Sequence, residues 1–298
     1  MIRKKRPETL VPRMEITFVT GKGGVGKSAV AAAFAWSRAE AGKRTILVEL
    51  GERSFYKDYF ALPAVTYKGQ NLRKNLDVAR WSGLESLHEY ALYLLKVETL
   101  YRLFIENSVS TALINTAPGL SELAIVGKIT SGPPRNVGPK LPYDCVVVDA
   151  FASGHFMALL RAPQGMASAV RIGPMGEQSR SIDRALKDAH LCHYYVVTTP
   201  EELPVVEGIE LANDIQETLG LKPTLLLNRL AQFDGKCLSE PPGPLKDFQD
   251  HLVSLDERQR RMKQTLQKTG LAVQELPWVL ENDPFKVVKK LAEVFSHD

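Results

Sequence analysis

Eight consecutive residues carry the densest chemistry in the chain: Gly21-Lys22-Gly23-Gly24-Val25-Gly26-Lys27-Ser28. They satisfy the spacing G-x-x-x-x-G-K-[ST], with a β-branched apolar run before them (residues 16–20) and an alanine-rich run after them (residues 29–36). Strand, glycine loop and helix start form the setting in which that spacing cradles phosphate. Gly21, Gly23, Gly24 and Gly26 let the backbone aim its N–H groups inward around an anion. The helix that follows adds unpaired amides and the positive end of its dipole. The expected ligand is ATP or ADP with Mg²⁺, contacted along the stretch from Gly21 through Val25 to Ala29. Lys27 is expected on the β- and γ-phosphates and the Ser28 hydroxyl on the metal.

Four other positions or short stretches offer complementary chemistry. Residues 143–149, Tyr-Asp-Cys-Val-Val-Val-Asp, read as a buried strand, and its terminal Asp149 suits a carboxylate that holds Mg²⁺, usually through a water. Ser153, Gly154 and His155 follow it, readable as a helix cap or as a switch that answers to the nucleotide. Residues 223–229 read as another strand with Asn228 near its end; a carboxamide offers a donor and an acceptor to a purine edge, and would otherwise be a turn residue. Glu49 closes the strand at residues 45–50, as a plain polar end or as a carboxylate near the reacting phosphate.

These residues need a scaffold that brings strand ends together. Short apolar strands alternating with helices imply an α/β fold with a predominantly parallel twisted sheet and helices on both faces. The first helix is expected to end near Ala41 with Gly42 as its cap. Residues 52–60 are polar and aromatic without a clear period. Residues 84–127 have helical spacing, broken at Pro118-Gly119. Residues 131–142 and 231–250 read as loops because of their Pro and Gly content. Further strands are expected at 193–199 and 271–277, and helices at 204–219, 256–268 and 283–295. The last is amphipathic and basic, so it either covers the sheet or grips a membrane.

The composition, 44% hydrophobic and 24% charged, is ordinary for a globular protein, and no uninterrupted apolar stretch approaches the roughly 18 residues of a membrane span. Arg3, Lys4, Lys5, Arg6 and Arg13 against Glu8 account for the whole formal charge of +4, so the body is neutral. Residues 1–13 therefore read as a basic flexible tail, solubilising or able to touch an acidic membrane surface or nucleic acid, and residues 14–298 as a single domain. The three cysteines, Cys145, Cys192 and Cys237, lie far apart without C-x-x-C spacing, which suits a reducing cytoplasm and argues against a structural zinc or disulfide framework.

The motif K-G-G-x-G-K-[ST] resembles the deviant Walker A loop of the ATPase class that includes MinD, ParA, the nitrogenase iron protein and the ArsA/Get3 family. In that class the first lysine, Lys22 here, crosses a dimer interface to the neighbour's nucleotide; the alternative is a solvated loop lysine. Asp149, Gly154, His155, Leu160 and Pro163 match the ArsA/Get3 stretch after the second acidic motif, while Phe151 and Ala152 depart from it. The resemblance runs from about residue 15 to 295 and is densest at residues 20–28. It implies a P-loop ATPase of the cytoplasm, peripheral to the membrane at most. It also implies a homodimer, or a heterodimer with a paralogue, that couples ATP hydrolysis to a protein client or membrane partner. The helical region at 84–127 would bind that partner or serve as core, Asn228 would read adenine, and Pro277 would lie against the ring.

Other features depart from the relatives. The sequence holds one phosphate loop, where the arsenite-pump ATPase has two, and neither a metalloid cysteine cluster nor a methionine-rich insert. Gly51 falls where the family places an aspartate that positions the attacking water, leaving Glu49 and Glu52 as the nearest carboxylates. Hydrolysis is therefore expected to be slow, with Lys22, Lys27 and Glu49 as the catalytic candidates. The alternatives are a nucleotide-gated scaffold that barely hydrolyses ATP, and a ParA/MinD-like positioning ATPase on membrane or, less in keeping with the neutral body, on DNA.

Overall fold

The computed structural model describes residues 14–95, 119–132, 135, 138–232 and 243–296. The basic tail at 1–13, the middle of the helical region at 96–118, Cys237 and most of the loop before residue 243 lie outside the described residues.

Among the described residues eight strands form one sheet: β1 (Glu15–Gly21), β2 (Thr45–Leu50), β3 (Gln70–Arg73), β4 (Leu76–Trp81), β5 (Cys145–Ala152), β6 (Cys192–Thr198), β7 (Thr224–Leu230) and β8 (Val273–Pro277). Their order is β3-β4-β2-β5-β1-β6-β7-β8, and all pairs are parallel except β3 with β4. The described helices are α1 (Lys27–Glu40), α2 (Phe55–Tyr59), α3 (Gly83–Leu95), α4 (Leu120–Ile129), α5 (Ser153–Ala169), α6 (Pro174–Leu186), α7 (Glu202–Leu219), α8 (Gly243–Gln267) and α9 (Pro284–Ala292), with a final 3-10 turn at Glu293–Phe295.

Strand residues alternate between the two faces. Ile16, Phe18, Val146, Val148 and Ala150 pack with Leu123 of α4, Phe156 of α5, Ile182 of α6 and Leu211 of α7. Val19, Leu47, Cys145 and Val147 pack instead with Val30 and Phe34 of α1, Tyr56 of α2, and Val288 and Leu291 of α9. By the same alternation Glu49 and Asp149, aligned with each other across β2 and β5, face the α1 side. The central strands are buried on both faces, so they read as continuous apolar runs rather than alternating ones.

Several expectations needed correction. The hairpin β3–β4 was unforeseen: its strands are short and mixed in polarity, and only Asn75 at φ 62° marks the turn. The polar residues Gln70, Asn71 and Arg73 suit the strand that closes this sheet edge. Residues 55–59, without a clear period, form α2, whose N-cap Ser54 accepts from the Lys57 N–H. Helix α6 was also unforeseen. Residues 243–250, expected as loop, belong to α8, since a proline in the first helical turn costs no hydrogen bond. Strand β5 continues past Asp149 to Ala152, alongside Gly21 of β1.

The two readings of the C-terminal helix are separated by packing. Val288, Leu291, Ala292 and Phe295 are buried, and the Phe295 ring lies 4.9 Å from that of Phe34 in α1. The apolar face of α9 is thus engaged with the sheet layer. Among the described residues no helix is long and apolar enough to cross a membrane. Phe295→Ala should lower the unfolding free energy by about 3–5 kcal/mol in urea titration, the cost of an aromatic-sized cavity; a loss under about 1 kcal/mol would show that this helix does not seal the core.

Candidate functional site

Helix α1 opens directly from the glycine loop. Its N-cap, Gly26, is left-handed (φ 92°) and offers no side chain, so the first-turn amides remain available to a ligand. A Cβ at Gly26 would stand 2.5 Å from Nδ2 of Asn228, so only glycine fits this approach. That amide group donates to the Val25 carbonyl at 2.9 Å. Asn228 is therefore a buried brace for the phosphate loop, using one of its two N–H groups on loop backbone.

Lys27 donates from Nζ to the carbonyl of Lys22 at 2.9 Å, across the mouth of the loop. Burial lowers its pKa, and the Asp149 charge partly offsets this. Lys22 points away from the loop to a different partner: its Nζ lies 2.5 Å from Oε1 of Glu207 in α7. Both side chains are about one-third exposed, at 37% and 31%, so the pair is accessible to solvent.

Asp149 lies in the carboxyl-terminal half of β5, before its last residues 150–152, and is only 6% exposed. Burial raises its pKa to about 6; hydrogen bonds from Ser28 and Tyr56 and the charge of Lys27 pull it down, and Glu49 pushes it up. The Tyr56 hydroxyl stands 3.1 Å from Asp149 Oδ2 and 2.9 Å from the Ser28 carbonyl oxygen. A carboxylate so enclosed is short of positive charge, and with the Ser28 hydroxyl it forms a hard oxygen donor set. Mg²⁺ fits that chemistry.

Glu49, beside Asp149 on β2, is engaged locally. Its Oε2 accepts from Ser54 Oγ at 2.7 Å and its Oε1 from the Phe55 N–H at 2.5 Å, anchoring the start of α2. Burial raises its pKa. The stretch after Asp149 is a strand-to-helix junction, with Ala152 as N-cap and Ser153, Gly154 and His155 in the first turn of α5. Gly154 and His155 are exposed, and the His155 ring lies 5.8 Å from Phe151. Pro277 ends β8 opposite Leu230, two residues past Asn228, and both line a cleft of about 380 Å³ with Gln259 and Lys263 of α8.

The structure thus gathers Lys27, Ser28, Asp149 and Glu49 at neighbouring strand ends and sets Asn228 under the loop. Tyr56 and Glu207 escaped sequence reasoning. Tyr56 sat in an aromatic stretch without periodicity, and Glu207 is one of several acidic residues on a helix.

A phosphate-binding loop between a buried strand and a helix, with an aspartate at the end of the adjacent parallel strand, defines a P-loop nucleoside triphosphatase. The family model of the anion-transporting ATPases, the ArsA type, matches residues 14–173, and the chain belongs to that family. It is 28% identical over 211 residues to ATPase BagA of Mycobacterium tuberculosis, covering 68% of this chain and 62% of that one. It is 29% identical over 238 residues to a putative arsenical pump-driving ATPase of Halobacterium salinarum (74% of this chain, 36% of that one). With ATPase ASNA1 homolog 2 of Paramecium tetraurelia it shares 28% over 159 residues (52% and 46%). The matches to the first of these relatives span about three-fifths of their length.

The raised pKa of Asp149 has a measurable consequence. Its ordinary value is 3.8, so between about pH 4 and pH 6 the folded chain binds more protons than the unfolded one. The stability this group contributes is present below that window and is lost as the pH rises through it. Asp149→Asn should therefore stabilise the metal-free protein on the order of 2 kcal/mol at pH 8, with a clearly smaller gain at pH 5, by urea unfolding at the two pH values.

Proposed function

We propose that the protein is a Mg²⁺-dependent ATPase that acts as a nucleotide-switched dimer, coupling the state of its nucleotide to a protein client or membrane partner. The observation that carries this reading is the cluster of Lys27, Ser28 and Asp149 around the open first turn of α1. In it the loop amides and Lys27 hold the β- and γ-phosphates, and Ser28 and Asp149 hold the metal. When bound, Mg²⁺ neutralises charge on the phosphate oxygens. Asn228 keeps the loop in shape and would meet a base edge with the rest of its carboxamide; Pro277 would flank the ring. Ser153, Gly154 and His155 are the residues through which the nucleotide state would be relayed to α5.

Lys22 serves the neighbouring subunit by adding positive charge as the phosphoryl group leaves. In the single chain it is paired with Glu207, so reaching across an interface requires that exposed pair to open. Exposed pairs of this kind are worth at most about 1 kcal/mol, well within what a dimer interface supplies.

A second reading has its own support. Gly51 has φ 133°, a conformation that L side chains rarely adopt, so an aspartate there would be strained. Both oxygens of Glu49 are occupied at the start of α2. These features favour a nucleotide-gated scaffold that holds ATP and hydrolyses it slowly. Positioning on a membrane through α9 loses support because that helix spends its apolar face on α1.

Calorimetry with Mg²⁺ should show ATP and ADP affinity for the wild type, reduced roughly 10- to 100-fold in Lys27→Ala, the loss of charge-assisted hydrogen bonds. A folded wild type without affinity for either nucleotide would end this reading. Lys22→Ala should keep nucleotide affinity within about threefold yet abolish ATP-dependent dimerisation in light scattering and single-turnover hydrolysis, because its partner is the other subunit. Tight ATP binding without turnover in the wild type would select the scaffold.

A further inference from the structure

Helix α2 is anchored at two points that the nucleotide reading does not need. Its first backbone N–H and its N-cap Ser54 bind Glu49 at the end of β2. One residue on, Tyr56 turns inward and reaches the end of β5, where its hydroxyl lies between Asp149 Oδ2 (3.1 Å) and the Ser28 carbonyl oxygen (2.9 Å). Glu49 and Asp149 are aligned neighbours on adjacent strands, so this short helix lies across both strand ends. The Tyr56 side chain is fully buried, its ring stacked on Phe60 at 5.7 Å and packed in the α1-side core. A phenol buried this completely needs a partner for its hydroxyl. Here the partners are the two elements that carry the proposed metal site: Asp149 itself and the backbone of Ser28.

Resting on the Mg²⁺-nucleotide reading above, we propose that Tyr56 is a positioning residue: its hydroxyl fixes the Asp149 carboxylate relative to Ser28, and so ties α2 to the occupancy of the metal site. Geometry supports the assignment. A carboxylate in a strand retains rotation about its terminal torsion; the single Tyr56 proton stands between Asp149 Oδ2 and the Ser28 carbonyl oxygen, so the hydroxyl holds the carboxylate at a set distance from the first turn of α1. Burial and the nearby carboxylates hold the Tyr56 pKa well above its ordinary value, so the group stays a neutral donor. A phenylalanine would fill the same volume and keep the stacking, but could not orient the carboxylate. The consequence reaches the surface: Phe55, the residue before Tyr56, is 45% exposed and its ring stacks on Tyr59 at 4.7 Å. A metal held by Asp149 would thereby steady α2 through the Tyr56 hydroxyl.

The test uses the full chain, with fluorescent N-methylanthraniloyl-ADP as the nucleotide probe, in wild type and in Tyr56→Phe. Three quantities are read: ADP affinity without metal, the Mg²⁺ concentration at half-effect on the bound probe, and hydrogen exchange of residues 52–62 with and without Mg²⁺. In Tyr56→Phe the metal-free ADP affinity should stay within about twofold, while the Mg²⁺ midpoint rises about tenfold, the scale of one hydrogen bond to a charged group. The Mg²⁺-dependent protection of residues 52–62 should disappear. Ser54→Ala, which loosens the start of α2 without touching Asp149, should leave the Mg²⁺ midpoint in place. An unchanged midpoint in Tyr56→Phe overturns the proposal, as does an equal loss of metal-free ADP affinity, or a shift in Ser54→Ala that matches that of Tyr56→Phe. A wild type that binds no ADP at all overturns the nucleotide reading itself, an outcome distinct from a wild type that responds to Mg²⁺ while Tyr56→Phe matches it.

Discussion

Burying a carboxylate within the carboxyl-terminal half of β5 is the constraint around which the site is built. Asp149 lies inside the layer between the sheet and α1, where an ionised group loses most of its hydration. The surroundings answer that loss with donors rather than with a full counter-charge: the Ser28 and Tyr56 hydroxyls bond it directly, and Lys27 acts at longer range. Glu49, aligned beside it on β2, adds negative charge and makes the shortage worse. A local excess of negative charge next to a helix that opens without a side-chain cap combines two preferences in one place. The carboxylates favour a cation, and the bare amides of α1 favour an anion. A metal–phosphate pair satisfies both.

The strand order explains why the ingredients meet. With β5 between β2 and β1, the ends carrying Glu49, Asp149 and the glycine loop are adjacent, and period-two alternation sends both carboxylates to the face that α1 covers. On the other flank, β6 and β7 bring α7 and Asn228 to the loop. Glu207 holds Lys22 from outside, and Asn228 holds the Val25 carbonyl from beneath. The loop is thus braced by side chains roughly two hundred residues away in sequence. The close approach of Asn228 to Gly26 shows how little room that bracing leaves.

Membership of the anion-transporting ATPase family accounts for the loop and the acidic strand, and the segment after β2 has contacts of its own. Tyr56 ties α2 to Asp149, Glu49 is turned toward the start of α2, and Gly51 adopts a conformation unsuited to an aspartate. These three lie within eight residues of one another in sequence. They hold the segment after β2 against the ends of β2 and β5. The C-terminal helix and the turn after it, by contrast, do ordinary work: Phe285 of α9 meets Trp36 and Phe60, and Phe295 of the 3-10 turn meets Phe34, closing the layer over α1.

The sequence by itself determined the elements whose signals are local. A strand–glycine–helix spacing, apolar runs buried on both faces, and a helix ending beside Gly42 all follow from backbone sterics and burial that neighbouring residues dictate. It likewise placed Lys27, Ser28 and Asp149 on those elements, because each sits at a fixed offset from such a signal. Only the tertiary structure decided what each side chain touches. That Lys22 pairs with Glu207, that Asn228 braces the loop, that Glu49 anchors α2 and that Tyr56 reaches Asp149 depend on strand order and helix placement. The short polar hairpin β3–β4 escaped for a related reason: its strands are specified by pairing with β2 more than by their own composition. Contacts between distant segments are set by how the layers stack, and a one-dimensional pattern does not contain that stacking.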